Sequence, residues 1–130
     1  MNFSFIDTLK FDDQGLLPCV VQDADTNEVL MVAYMSRESL RRTLEKGLCT
    51  FFSRSRQALW LKGETSGHTQ EVREVRLDCD SDTLLIRVKQ NGAACHAGFY
   101  SCFYRRLRPD GTLEESGERV FDPETVYRKK

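Results

Sequence analysis

The alternation of hydrophobic and polar positions predicts a hairpin near the start of the chain. Residues 17–21 and 29–35 are rich in β-branched and other apolar side chains, and the turn-forming segment 23–27 separates them. The apolar run of the second strand is almost continuous, so we expect that strand to be buried on both faces.

A helix is expected directly after this hairpin. Ser36 is a suitable N-cap, Leu40 and Leu44 stand four residues apart on one helical face, and Gly47 supplies a stop. The pattern therefore predicts a helix over residues 37–46.

Short strands account for most of the remaining chain. They are predicted over 50–53, 58–61, from Val75 to Asp80, over 83–89, and at 103–107 and 112–113 on either side of a turn at 108–111. Asp122-Pro123 is a suitable start for a last short helix. Residues 1–130 are thus expected to form a single α+β domain, rich in β-strands, with one main helix.

Composition narrows the class of protein without identifying it. The 130-residue chain carries 19 basic and 20 acidic residues, a net charge of -1, which disfavours a general nucleic-acid binder. Its first residues lack the basic and apolar runs of a signal peptide, and no apolar stretch approaches the ~20 residues of a membrane helix. We expect a soluble cytoplasmic protein.

The five cysteines fall into two groups. Cys19 and Cys49 lie among apolar residues and are expected to be small buried hydrophobic side chains. An odd number of cysteines in a reducing compartment disfavours disulfides. Cys79, Cys95 and Cys102 share their neighbourhood with Asp and His residues, so we expect a different role for them.

Three carboxylates form the first candidate metal site. Asp78, Asp80 and Asp82 alternate, so on a regular strand they would share one face, where their charges repel unless a cation neutralises them. Oxygen ligands suit magnesium or another hard divalent cation. The alternative is a solvated acidic turn between two strands, which is also common.

Three thiols form the second candidate site. Cys95 and Cys102 lie seven residues apart, which puts them on one face if the segment is helical, and Cys79 could add a third sulfur. Such a zinc site would keep an open fourth position, as catalytic zinc does. Three ordinary cysteines beside a sheet are the alternative.

The strand alternation has a consequence for the two sites. On a regular strand Cys79 points away from Asp78 and Asp80, so zinc on that far face could recruit Cys95 and Cys102 from a second subunit. A bulge at Ser81 would instead bring the two metal sites together.

A polar segment is a candidate phosphate-binding site. Arg54 and Arg56 alternate, so both could face one groove, and Lys62, Thr65 and Ser66 add a cation and hydroxyl groups. The alternative is an ordinary exposed loop. His68 follows this segment and His96 follows a candidate ligand, so both are candidate proton carriers, although a lone His is usually structural.

Taken together, these segments resemble the phosphoribosyl-AMP cyclohydrolase family of histidine biosynthesis. The likeness is carried by VLMVAYM at 29–35, SRSR at 53–56, LWLKGETSGH at 59–68, DCDSD at 78–82, ACHAG at 94–98 and SCF at 101–103. Ala93 and Ala97 stand where the family often has Pro and Thr, and neither is a ligand position. The fused phosphoribosyl-ATP pyrophosphatase domain of many members has no counterpart in these 130 residues, so a stand-alone form is expected.

The resemblance implies two metals and a dimer. Magnesium would bind Asp78, Asp80 and Asp82. Zinc would bind Cys79 from one subunit and Cys95 and Cys102 from its partner, so an intertwined homodimer is expected.

The reaction implied by the resemblance is the third step of histidine biosynthesis, hydrolytic opening of the adenine ring of phosphoribosyl-AMP between N1 and C6. Zinc would make hydroxide available at neutral pH by lowering the pKa of a water to about 7. Three thiolates weaken that effect, so a base is needed. His68 is ranked above His96, with Glu64 in reserve. Arg54, Arg56 and Lys62 would hold a substrate phosphate.

Two other functions remain open at this point. A non-catalytic, zinc-stabilised binding module for a phosphorylated ligand would hold a closed zinc site and unfold on chelation. A thiol redox protein would need a close cysteine pair, and the sequence contains no C-x-x-C motif.

Overall fold

The regular elements are strands, with one main helix, in a computed structural model that describes residues 2–121. In chain order they are a short 3-10 helix (Ser4–Thr8), β1 (Leu16–Asp23), β2 (Val29–Ser36), α1 (Arg37–Lys46), β3 (Thr50–Ser53), β4 (Ala58–Leu61), β5 (Gln70–Leu77), β6 (Leu84–Gln90), β7 (Arg105–Leu107) and β8 (Leu113–Glu115). The predicted α+β class is confirmed. The helix predicted at Asp122-Pro123 lies outside the described residues.

A four-stranded mixed sheet in the order β2-β1-β6-β5 forms the scaffold. Strands β1 and β6 run parallel, and the other neighbouring pairs run antiparallel. The predicted β1–β2 hairpin is confirmed. The expectation that β2 is buried on both faces is wrong, because β2 is an edge strand whose Val29 and Val32 side chains are exposed.

Helix α1 has the predicted bounds and caps. The Ser36 hydroxyl accepts a hydrogen bond from the Ser39 N–H, and the Ser39 hydroxyl accepts one from the Ser36 N–H, which together form a capping box. Gly47 closes the C-terminal end in a left-handed conformation. Leu40 is fully buried beneath the helix, and Leu44 is partly buried beside the same core.

The predicted strand from Val75 to Asp80 is wrong at both ends. Strand β5 begins at Gln70 and stops at Leu77, before the aspartates. A bulge between Val72 and Glu74 interrupts the period-2 pattern that would mark the earlier start. The acidic segment is therefore a turn between β5 and β6.

The remaining strands form two small sheets. Strands β3 and β4 pair at the predicted positions, and β7 and β8 pair around the predicted turn at 108–111. The core lies where the four-stranded sheet meets α1 and β3, and it includes the fully buried thiols of Cys19 and Cys49, as expected. All five cysteines are free. Within residues 2–121, no helix is long and apolar enough to cross a membrane.

Candidate active site and metal-binding residues

The acidic turn after β5 gathers three carboxylates. Oxygen atoms of Asp78, Asp80 and Asp82 all lie within 4.8 Å of one another. The Asp78 Oδ1 atom accepts hydrogen bonds from the N–H groups of Asp82 (3.1 Å) and Thr83 (3.2 Å), while Ser81 at φ 64° turns the chain. A turn, and not strand alternation, therefore brings the three side chains together, and the two-face arrangement inferred from a regular strand is wrong.

The pKa values within this turn diverge because the carboxylates are crowded. Desolvation raises the pKa of Asp78, but hydrogen bonds from Asp82 and its other neighbours outweigh that effect and hold it below the usual value. Hydrogen bonding with the carboxyls of Asp82 and Asp78, together with their charge, raises the pKa of Asp80. Crowded carboxylates of this kind, all exposed, fit a hard divalent cation such as magnesium.

Cys95 and Cys102 meet through a closed loop, so the condition of a helical segment, on which their shared face depended, is not met. The Ala94 and Cys95 N–H groups donate to the carbonyls of Tyr100 (3.0 Å) and Phe99 (3.2 Å), and the Cys102 N–H donates to Leu30 of β2 (2.7 Å). These bonds fold the segment back on itself and bring the two thiols close enough that the Cys95 thiol raises the pKa of Cys102.

The environment of this thiol pair suits a soft cation. The Ala97 N–H donates to the Cys95 Sγ atom over 3.4 Å, a contact that orients a sulfur ligand. Burial raises the pKa of Cys102 to about 11, and the neighbouring Cys95 thiol adds to that shift. Within residues 2–121 the sulfur of Cys79 does not join them, because the one cluster of three ligand atoms is the acidic turn.

A cavity of about 340 Å³ opens beside the thiol pair. Its lining combines the loop after β4 with residues of β2 and of the cysteine loop, and includes the predicted Arg56, Lys62, Glu64, Thr65, Ser66, His96 and Cys102. Seven of the predicted site residues thus come together around one space, although they are scattered along the sequence.

The loop after β4 is tightly built. The Glu64 Oε1 atom accepts the Leu61 N–H (3.0 Å), and the Ser66 Oγ atom accepts the His68 N–H (3.2 Å). Gly63 has φ 89°, and a Cβ atom there would lie 2.5 Å from the backbone carbon of His68. Glu64 and Ser66 therefore hold the loop as well as line the cavity.

The two arginines do not share one strand face. Both lie in the turn between β3 and β4, where Arg56 lines the cavity. The guanidinium of Arg54 instead stacks on the ring of Tyr34, with the Cζ atom 3.9 Å from the ring centroid. The alternation argument for a common groove is therefore wrong.

The two histidines have different surroundings. His96 is exposed and lines the cavity next to Cys95. His68 is half-buried outside the cavity lining, and its Nδ1 atom accepts the Ala93 N–H (3.2 Å). Gly92 allows this ring to approach closely, since a Cβ atom there would lie 2.5 Å from the His68 Cδ2 atom.

Lys62 is buried, unlike the rest of its polar segment. It is 7% exposed, and its Nζ atom donates to the Ala94 carbonyl (2.6 Å). Burial lowers the pKa of the Lys62 ammonium, and the thiols of Cys102 and Cys95 raise it in opposition. The sequence pattern of an exposed polar loop gives no sign of this position.

The sequence reasoning also gave no site role to Trp60, Met31 and Leu59, which line the cavity. Trp60 is the single tryptophan of the chain and lies two positions before Lys62 of the polar segment, a feature that could have marked it. These side chains supply the apolar wall of the cavity.

A cavity with convergent polar groups beside a thiol pair, together with an acidic cluster, is typical of metal-dependent enzymes that act on small molecules. The family model for phosphoribosyl-AMP cyclohydrolase matches residues 31–104, more than half of the chain. The chain belongs to the phosphoribosyl-AMP cyclohydrolase family and is an enzyme.

Curated relatives extend the match over nearly the whole chain. The phosphoribosyl-AMP cyclohydrolase of Pelotomaculum thermopropionicum is 58% identical over 96% of this chain and 97% of its own length. The enzyme of the same name from Salinibacter ruber is 57% identical, over 98% of this chain and 99% of its own. That of Chlorobium phaeovibrioides is 54% identical, over 98% and 93%. The resemblance found in the sequence motifs is thereby confirmed.

Proposed function

We propose that the chain catalyses hydrolytic opening of the N1–C6 bond of the adenine ring in 1-(5-phosphoribosyl)-AMP, the third step of histidine biosynthesis. The product is the formimino-aminoimidazole carboxamide ribonucleotide. The observation that carries the proposal is the cavity beside Cys102, in which polar, apolar and thiol groups converge. The names of the relatives agree with it.

The zinc site is proposed to be shared between two subunits. Cys79 would come from one subunit and Cys95 and Cys102 from the partner, since these two thiols already adjoin each other while Cys79 stands apart and exposed. A thiolate set with an N–H donor at Cys95 Sγ suits zinc. When bound, zinc would supply a nucleophilic water at neutral pH.

Exposed apolar side chains beside both halves of this site support an intertwined homodimer. Leu77, two residues before Cys79, is 41% exposed, and Phe103, next to Cys102, is 60% exposed. Large apolar groups exposed at a surface favour burial against another protein surface. Joining two copies here would cover them and complete the ligand set.

Magnesium is proposed to bind Asp78, Asp80 and Asp82. Its role would include neutralising the carboxylates of the acidic turn and holding an oxygen-rich part of the substrate. The turn is braced from outside, because the Lys10 N–H donates to the Ser81 carbonyl (2.8 Å).

Proton transfer is assigned first to His96, with His68 and Glu64 as further candidates. His96 lines the cavity and adjoins Cys95, so it can reach a water or leaving nitrogen held there. The His68 Nδ1 atom already accepts a hydrogen bond from the Ala93 N–H, and the Glu64 Oε1 atom already accepts one from the Leu61 N–H. The exposed His96 ring is the group best situated to exchange protons with solvent.

The substrate would be held by the polar loop and the apolar wall. Arg56, Thr65 and Ser66 are proposed to bind a 5′-phosphate, and Arg54 can join them by leaving the Tyr34 ring. Trp60 is proposed to stack on the purine. Lys62 borders the same space, although its ammonium is already hydrogen-bonded to the Ala94 carbonyl.

The five free thiols favour a location in the reducing cytoplasm.

The decisive experiment pairs metal analysis with ring opening. Zinc and magnesium per chain are measured in the wild type and in Cys95→Ala, and turnover is followed by ultraviolet absorbance. We expect zinc and turnover in the wild type and neither in the variant. A zinc-replete wild type without turnover would overturn the proposal.

Chelation separates catalysis from a purely structural zinc role. Removing zinc should abolish turnover while circular dichroism shows that the fold largely persists. Unfolding on chelation, with ligand binding but no turnover in the holoprotein, would favour the zinc-stabilised binding module instead.

A further inference from the structure

Lys62 is the only buried cation among residues 2–121, at 7% exposure. Burying an ammonium is expensive unless a negative partner compensates it. Its Nζ atom donates to the Ala94 carbonyl at 2.6 Å and lies 5.8 Å from the centroid of the Trp60 ring. Both are neutral groups, so they account for only part of the compensation.

Three thiols neighbour this ammonium. Cys102 lines the same cavity as Lys62, Cys95 directly follows Ala94, and the Cys49 carbonyl accepts the Lys62 backbone N–H (3.0 Å). Burial raises the pKa of Cys49 to about 12, which keeps that thiol neutral at pH 7. Cys95 and Cys102 remain, and they become thiolates when they bind a metal. The buried cation and the ligand pair therefore compensate each other.

The charges balance if the zinc site is as proposed. Three thiolates around a divalent cation leave one net negative charge, and one ammonium cancels it. The same side chain is also tied to the ligand loop, because Ala94 directly precedes Cys95 and its carbonyl accepts the Lys62 hydrogen bond. One residue thus combines a charge with a mechanical tether.

We infer that Lys62 is a positioning residue of the zinc site, which fixes the Cys95 loop through Ala94 and supplies the counter-charge for the Cys95 and Cys102 thiolates. This inference rests on the proposed function for the identity of the metal. It departs from the expectation that Lys62 binds a substrate phosphate. A neutralised site would also lose less of its Lewis acidity to its three thiolates than an anionic one.

The test uses three substitutions that separate charge from tether. Lys62→Met removes both, Lys62→Gln keeps an N–H donor without charge, and Lys62→Arg keeps both and has the adjoining cavity for its larger head group. Lys89→Met, at an exposed position on β6, is the matched control. Zinc affinity is measured by competition with a chromophoric chelator, and folding by thermal unfolding.

We expect zinc affinity to fall by about 10-fold or more in Lys62→Met and Lys62→Gln, the scale on which outer partners of metal ligands act. Lys62→Arg should recover most of it, and the control should match the wild type. Equal losses in Lys62→Gln and Lys62→Arg would overturn the counter-charge role, and unchanged affinity in all three would overturn the inference. If Lys62→Met fails to fold, the comparison of Lys62→Gln with Lys62→Arg still tests the counter-charge role.

Zinc affinity does not depend on turnover, so the two proposals can fail separately. A wild type that binds zinc in a Lys62-dependent way without ring opening would overturn the proposed function alone. An active enzyme whose zinc affinity is indifferent to Lys62 would overturn this inference alone.

Discussion

The His68 Nδ1 atom accepts a hydrogen bond of 3.2 Å from the backbone N–H of Ala93, two residues before Cys95. This bond links the loop after β4 to the loop that carries the thiol pair. It also places the proton of the neutral ring on Nε2, because Nδ1 must offer a lone pair. His68 therefore has a structural partner at the site whether or not it transfers protons.

Substitution at His68 should first affect stability. Ala93 is buried, so His68→Ala leaves its N–H without a partner and should lower the free energy of unfolding by about 1–3 kcal/mol. His68→Asn, whose Oδ1 atom can accept the same bond, should recover part of the loss in denaturant unfolding. If His68→Ala unfolds like the wild type, the bond carries no net stability. If it also binds zinc and turns over normally, His68 has no part in the mechanism.

Substitution at His96 should affect the chemistry instead. His96→Ala is expected to lower kcat by about 10²–10⁴-fold, the usual contribution of a positioned acid or base, with zinc per chain unchanged. The exposed position predicts little change in thermal stability. Steady-state kinetics and metal analysis on the same preparation check this. Full turnover in His96→Ala would transfer the proton-carrier role to another group.

The acidic turn is expected to destabilise the protein when it is free of metal and to stabilise it when magnesium is bound. The folded-state pKa of Asp80 is raised, so the metal-free protein should lose stability as pH rises through that value, where Asp80 ionises beside Asp78 and Asp82. Asp80→Asn removes this repulsion and should unfold no more easily than the wild type at pH 7. Added magnesium should raise Tm in the wild type and not in the variant.

The control for this prediction is Asp110→Asn, in the turn between β7 and β8. Hydrogen bonds from Thr112 lower the pKa of Asp110, so this group belongs to a local turn and not to the carboxylate cluster. Its variant should keep the magnesium response. A magnesium response that survives in Asp80→Asn would place the cation elsewhere.

A shared zinc site predicts complementation between two inactive variants. Cys79→Ala and Cys95→Ala should each lack zinc and turnover. Refolded together in equal amounts, they form mixed dimers in which one site has lost both ligands and the other is intact, which gives about a quarter of wild-type activity under random pairing. No recovery in a mixture that forms mixed dimers would show that each site belongs to a single chain.

Local sequence patterns were sufficient to predict several elements of the fold. Ser36 and Gly47 bound the helix as predicted, and the apolar runs on either side of residues 23–27 form the predicted hairpin. These features depend on residues a few positions apart, whose propensities act in any context. The position of β2 in the sheet could not be predicted from local patterns, because an apolar run has the same sequence pattern in a central strand and in an edge strand.

The sequence by itself determined the chemical inventory, namely three carboxylates and a cysteine within five residues, two further cysteines, and a polar loop ending in His68. The tertiary structure decided how these groups are used. A turn at Ser81, and not a strand, gathers the carboxylates, while a backbone bond from Cys102 to Leu30 helps set the thiol pair beside the buried Lys62. Such contacts join residues far apart in the chain, so they exist only once the sheet has formed.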